Sequence, residues 1–211
     1  MDRPRFPHRH SYMTRIATVI AMLLALCGWP LSAQAQDGTS SGNIALPQVR
    51  VSTSEGAFDI RLRPDIAPNT VANFLSYVEQ GFYDGTVFHR VIPGFMIQGG
   101  GFDENLRQKA TDDPIELEAS QTARNLRGTI AMARTRNPNS ATSQFFINLG
   151  DNPHLNPSPS RPGYAVFGSV TQGMGVVDAI AGVETTRANG MSDVPVDPVI
   201  IQSIQLVEDE Q

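Results

Sequence analysis

The stretch Phe88-His89-Arg90-Val91-Ile92-Pro93-Gly94-Phe95-Met96-Ile97-Gln98-Gly99-Gly100-Gly101 constrains the fold more than any other part of the 211-residue chain. Two short apolar runs flank a Pro-Gly pair. Proline presets φ at the first turn position, and glycine supplies the positive φ that a type II turn needs at the second. The runs on either side are therefore predicted to be antiparallel neighbours. Arg90 is out of keeping with its surroundings. It is a permanent cation with five donors in a rigid fork, set among Phe88, Val91, Ile92, Phe95 and Met96. Taken alone it reads as a surface arginine, and only the downstream sequence makes it a site candidate. The glycine run is not followed by Lys-Ser/Thr, so it reads as a tight turn and not as a phosphate loop.

The first 35 residues read as an address. Arg3, Arg5, Arg9 and Arg15 form a basic start, Ile16–Leu26 is an uncharged run of 11 residues, and Ser32-Ala33-Gln34-Ala35 offers the small-x-small pattern that signal peptidase cuts. Such a run is far shorter than the roughly 20 residues that span a bilayer. Residues 1–35 are assigned as a secretory signal peptide cleaved after Ala35, with Met13 as an alternative start. Leu26 precedes Cys27 where a lipoprotein would carry a small residue, so lipidation is not expected. The leader holds four of the 16 Lys/Arg and one of the 21 Asp/Glu, which leaves the mature 176 residues with a net charge of −8. The only cysteine and the only tryptophan leave with it. A cysteine-free mature chain suits an oxidising compartment and has no disulfide, thiolate or Cys-metal chemistry. Its acidity argues against nucleic acid or an anionic membrane as the main partner.

Residues 36–46 are polar and small at first and read as a flexible tether, and residues 47–211 as one domain. Val49–Thr53 and Phe58–Leu62 alternate apolar with polar around Ser54-Glu55-Gly56-Ala57 and are predicted to be a hairpin. A helix follows, begun by Pro68, with Val71, Phe74, Leu75 and Val78 at core spacing and Gly81 at its end. Residues 102–121 read as a long surface excursion, and Leu149–Gly163 as another loop. Strands are expected over 128–133, 143–148, 164–170 and 199–206, with a short helix over 174–181 and a Gly/Pro-punctuated loop after it. Many short strands, two helices and no regular βαβ alternation give an antiparallel barrel or sandwich.

Several chemistries are excluded. The mature chain has two histidines, His89 and His154, far apart and without metal-ligand spacing. No G-x-S-x-G elbow is present. His89 alternates with Arg90 and so faces away from it, which makes it a hydrogen-bonded core histidine. What recurs instead is an apolar, amide and guanidinium set. Gln144 and Phe146 share one strand face, and Met96 and Gln98 share another.

The stretches Phe88–Gly101, Ser143–Asn148 and Tyr164–Gly168 resemble the cyclophilin family of peptidyl-prolyl cis/trans isomerases. TIAMAR (129–134) and ATSQFFIN (141–148) are similar to its exported bacterial branch. The likeness runs from about Val49 to Leu206. It implies an eight-stranded antiparallel β-barrel capped by two α-helices, with the substrate groove on its outer face. Carried over by position, Arg90 matches the catalytic arginine. Phe95, Met96 and Phe146 match the walls of the proline pocket, with Leu155 at its edge. Gln98 and Gln144 match the groups that hold the substrate backbone, and Ala133 and Arg134 match the strand edge along which a peptide lies. Tyr164 stands where many members have histidine. His154 stands where eukaryotic members carry tryptophan, which implies weak cyclosporin binding.

The implied activity is rotation of X-Pro bonds in exported proteins as they fold, with no cofactor, no metal and no covalent intermediate. The expected partners are proline-containing polypeptides. The mature chain is expected to be a periplasmic monomer, free of nucleic acid and membrane. The rival readings are a proline-segment chaperone or scaffold whose turnover is incidental, and a barrel for sugars or small ligands. The first would fit a chain without Arg90, and the second calls for aromatic platforms in a mature chain that has no tryptophan.

Overall fold

The computed structural model describes residues 46–207. The expected signal peptide and all but the last residue of the expected tether lie outside the described residues. The hairpin near the N-terminus forms as β1 (Gln48–Thr53) and β2 (Gly56–Leu62), paired from Gln48 opposite Arg61 to Thr53 opposite Gly56. Its alternation puts Val49, Val51, Phe58, Ile60 and Leu62 inside. Asp59 is buried as well, and Arg50 meets it with two parallel bonds, Nε to Oδ1 at 2.8 Å and Nη2 to Oδ2 at 3.0 Å. Such a fork satisfies a carboxylate that burial would otherwise penalise.

Helix α1 (Pro68–Glu79) buries Val71, Phe74 and Val78 of the stripe its apolar spacing predicts, with Tyr77 added and Leu75 only partly buried at its edge. The amides of Gly81 and Phe82 close its end on the carbonyls of Val78 and Tyr77. The chain continues through β3 (Thr86–Val87), β4 (Arg90–Ile92), β5 (Met96–Gly99), β6 (Thr129–Met132), β7 (Phe145–Asn148) and a 3-10 turn (Pro153–Leu155). Then come β8 (Val166–Gln172), α2 (Met174–Ala181), β9 (Thr185–Ala188), β10 (Met191–Pro195) and β11 (Ile200–Leu206).

The main sheet has the order β3-β11-β1-β2-β8-β6-β7-β5-β4, with every pairing antiparallel. Its two edges, β3 and β4, are separated in the chain by Phe88 and His89 alone. Three residue spacings reach about 11 Å at most, so the ends of the two edge strands lie close together and the sheet curls back on itself. The expected antiparallel barrel is therefore present, with nine strands in place of eight. The strand expected from Phe88 to Ile92 forms only over Arg90–Ile92, and the unexpected strand Thr86–Val87 precedes it, because the chain changes partner between the two. Thr86–Val87 pairs with β11, the Phe88 amide donates to the Val199 carbonyl at 3.0 Å, and Arg90–Ile92 pairs with β5.

The interior is aromatic at its centre. Phe74, Tyr83, Phe88, Phe145 and Phe167 are buried with ring centroids 5.2–6.1 Å apart in edge-on and tilted contacts. Val177 and Ile180 bring α2 into the same core.

A second departure from the sequence reading lies after α2. The stretch after α2 was expected to be loop, yet it holds the small sheet β9–β10. Asn189 and Gly190 form its turn with φ of +50° and +80°, the signature of a type I′ hairpin. Among the described residues, no helix is long and apolar enough to cross a membrane.

Candidate active site

The Pro93-Gly94 turn sets the register on which the site depends. Gly94 has φ +72°, and the Phe95 amide donates to the Ile92 carbonyl at 3.0 Å, closing the type II turn. Val91 then lies opposite Ile97, which lies opposite Ile147 and, beyond it, Ile130, all facing the core. The alternate row runs Arg90, Gln98, Phe146, Ala131 along the outer face of the same strands. A shift of one residue would exchange the two rows, so the turn decides that the arginine faces out.

That outer row floors a pocket of about 150 Å³ lined by Arg90, Phe95, Met96, Gln98, Ala133, Arg134, Phe146, Leu155 and Tyr164. Met96, Phe146, Ala131 and Val166 form an apolar cluster of their own, outside the barrel core. Phe95 is presented by the turn and Leu155 by the 3-10 turn. Tyr164 closes the side, edge-on to Phe146 at 5.5 Å. Arg134 lies 4.4 Å above the Tyr164 ring and donates through Nε and Nη2 to the Gly163 carbonyl, at 3.0 and 2.7 Å. Its guanidinium thus ties the wall together.

Of the remaining candidates, Gln144 lies just beyond the pocket and accepts from Gln98 Nε2 at 3.0 Å. His154 stands exposed at the rim, its ring stacked on Phe95 with centroids 5.5 Å apart. The structure therefore gathers all the sequence-derived candidates around one cleft, with Gln144 and His154 at its margins. A polar depression of about 280 Å³ continues past the glutamine pair. Gln108 and Thr111 line it, so the 102–121 excursion reaches the cleft, which its sequence did not reveal. The glycine run makes room here. A Cβ on Gly101 would come within 2.4 Å of the Gln144 side chain.

A second support escaped the sequence reading. Asn125, Asn148 and Asn152 are buried in one network beneath the pocket. Asn148 Nδ2 donates to Thr129 Oγ1 at 2.9 Å and to Asn125 Oδ1 at 3.2 Å, and Asn152 Nδ2 donates to Asn148 Oδ1 at 2.8 Å. Asn152 Nδ2 also donates to the Phe95 carbonyl at 2.9 Å, and Asn125 Nδ2 to that of Leu155 at 3.3 Å. Two walls of the pocket are held from below by buried amides, which remain stable only when their donors and acceptors are satisfied together.

His89 is buried beside Phe102, with centroids 4.6 Å apart, as expected of a core residue, but its Nδ1 has no hydrogen-bond partner. Burial holds the ring neutral, its pKa lowered to about 4, and the charge of Arg90 acts in the same direction.

The fold is thus an antiparallel barrel whose outer face carries an apolar pocket, a pair of amides and two guanidiniums, those of Arg90 and Arg134. The sequence profile of the cyclophilin type peptidyl-prolyl cis-trans isomerase/CLD family matches residues 48–206, and the chain belongs to that family. It is 53% identical to a peptidyl-prolyl cis-trans isomerase of Acinetobacter baylyi, over 79% of this chain and 89% of that one. It is likewise 53% identical to peptidyl-prolyl cis-trans isomerase B of Escherichia coli, over 74% of this chain and 97% of that one. A crystal structure of a Cryptosporidium parvum cyclophilin type isomerase, solved in the presence of the dipeptide Ala-Pro, superposes with a TM-score of 0.65. The two are 28% identical, and the match covers 77% of this chain and 99% of that one. The activity is thus peptidyl-prolyl cis-trans isomerisation, and its substrate class is the proline-containing polypeptide.

Proposed function

We propose that this isomerase acts on exported proteins as they fold, and that Arg90 lowers the rotational barrier by hydrogen bonding in the transition state. The observation that carries the reading is the place of the guanidinium. Arg90 lies across the register from Gln98 at the mouth of a pocket floored by Met96 and Phe146.

Rotation about an X-Pro bond crosses a barrier of roughly 20 kcal/mol, because resonance gives the C–N bond partial double-bond character. In the twisted transition state that resonance is lost and the prolyl nitrogen regains a lone pair. A fixed N–H donor can bond the lone pair there, whereas the planar ground state offers none. Interactions of this kind, stronger in the transition state than before it, are what accelerate a reaction. One preorganised donor contributes about 3–4 kcal/mol by comparison with oxyanion-hole deletions. Five powers of ten need about 7 kcal/mol. The remainder falls to the apolar pocket, which takes the proline ring out of water, and to Gln98 and Gln144, which fix the flanking backbone. No bond is broken, so no covalent intermediate forms.

Support for export comes from the leader sequence, with its basic start, its apolar run and the Ser32-Ala33-Gln34-Ala35 site. We place the mature protein in the periplasm as a monomer. We expect weak cyclosporin binding, since His154 supplies a smaller and more polar ring than tryptophan at the pocket edge.

The test is the rate of cis-to-trans conversion of an Ala-Pro peptide by the leaderless protein and by Arg90→Ala. The expected result is a fast wild type and a loss of about a hundredfold or more in the variant. Equal rates in the two proteins would contradict the assignment of Arg90.

A further inference from the structure

Asp193 is the only carboxylate among the described residues within 4 Å of the Arg90 guanidinium, its Oδ2 lying 3.7 Å from Nε. The pair is formed between distant parts of the chain. Arg90 is on β4, and Asp193 is on β10 of the small hairpin, which packs alongside β4.

The backbone at Asp193 is unusual. Its φ is +62°, a left-handed conformation that only a few non-glycine residues adopt. The conformation is imposed by the hairpin register. Met191 pairs with Ala188 and Val194 with Thr186, so Ser192 and Asp193 together stand opposite Arg187 alone. This is a β-bulge, a device that re-aims a side chain at the cost of ladder bonds and is enriched beside active sites.

Stability does not explain the arrangement. Both side chains are about two-fifths exposed, and ion pairs between such groups add little to folding. A left-handed non-glycine residue costs free energy wherever it occurs and persists where the surrounding structure over-determines it. The bulge therefore spends stability to carry a carboxylate to the arginine.

We propose that Asp193 is a positioning residue for Arg90, holding the guanidinium at its Nε end so that its remaining donors stay aimed into the proline pocket. The proposal rests on the reading of Arg90 given above. A long, half-exposed arginine samples many rotamers, and each one frozen in advance is entropy not lost in the transition state. A carboxylate 3.7 Å away restrains the side chain without consuming a short hydrogen bond, which leaves the donors free for the substrate.

Two variants separate this role from a structural one. Asp193→Asn keeps a residue that tolerates the left-handed backbone and removes only the charge. Asp193→Gly removes the side chain and relieves the strain. Three readouts are taken on each: the exchange rate of a bound Ala-Pro peptide, its dissociation constant, and the Arg90 Nε–Hε resonance by ¹⁵N NMR. Both variants are expected to exchange about tenfold more slowly, with the dissociation constant little changed. The Arg90 resonance should shift and show greater mobility, while Asp193→Gly melts no lower than wild type. Unchanged exchange in both variants, or an unmoved Arg90 resonance, would overturn the proposal. So would a rate loss that follows a lower melting temperature. Arg90→Ala, measured alongside, reports separately on the role of the arginine. If it is as fast as wild type, the reading of Arg90 fails, whatever Asp193 does.

Discussion

Gln98 donates from Nε2 to Gln144 Oε1 at 3.0 Å, and this one bond marks where the apolar pocket ends and the polar part of the cleft begins. Gln144 can take that position because residue 101 has no side chain. In Gly101→Ala the new Cβ would lie 2.4 Å from the Gln144 side chain and displace it. On the proposed role of Gln144 in holding the substrate backbone, displacing it by about an ångström should cost roughly ten- to a hundredfold in kcat/KM. The loss should appear in steady-state kinetics on Ala-Pro peptides, and a variant as active as wild type would remove Gln144 from the site.

The buried asparagines make a different kind of contribution. Asn148→Ala deletes the acceptor of Asn152 and the donor to Asn125 and Thr129 at once. Buried polar partners left unpaired cost about 1–3 kcal/mol. Urea unfolding should show that loss, and catalysis should weaken with it, because Asn152 also holds the Phe95 carbonyl. A variant with wild-type stability would show that the network is not a support.

His89 ties stability to pH. Its ring titrates near pH 4 in the folded chain, against an ordinary value of 6.5. Above pH 6.5 both states are neutral and the group contributes no slope. Between 6.5 and 4 the unfolded chain takes up a proton that the folded chain refuses, so stability falls as pH falls. The full loss from this group is roughly 3 kcal/mol. His89→Gln should therefore show a shallower decline than wild type in urea unfolding between pH 7.5 and pH 4.5. Parallel declines would mean that carboxylates alone account for it.

Much of this architecture is legible in the sequence, because its determinants are local. Pro93-Gly94 specifies a turn, the turn specifies a register, and the register puts Arg90, Gln98 and Phe146 on one face. The pattern Val71, Phe74, Val78 specifies the buried side of α1 in the same way. The assignment of individual roles within the cleft came from family resemblance and not from spacing. What stayed hidden is non-local. The asparagine network joins residues 19 or more apart with one exception, the Asn148–Asn152 bond within a single turn of loop. The Arg90–Asp193 pair closes over a hundred residues, and the partner-less Nδ1 of His89 depends on packing. The β9–β10 hairpin had a readable signal in Asn189-Gly190. Its flanking runs, TTRA and MSDVP, lack the alternating apolar pattern that normally accompanies such a turn.

The central claim is that Arg90 acts on the transition state and not on substrate binding. NMR exchange spectroscopy on an Ala-Pro peptide measures both quantities in one sample, the dissociation constant and the cis/trans exchange rate of bound peptide. For Arg90→Ala the account requires the exchange rate to fall by about a hundredfold or more while the dissociation constant changes by less than about threefold. A dissociation constant that weakens in step, with bound peptide still exchanging at the wild-type rate, would contradict it.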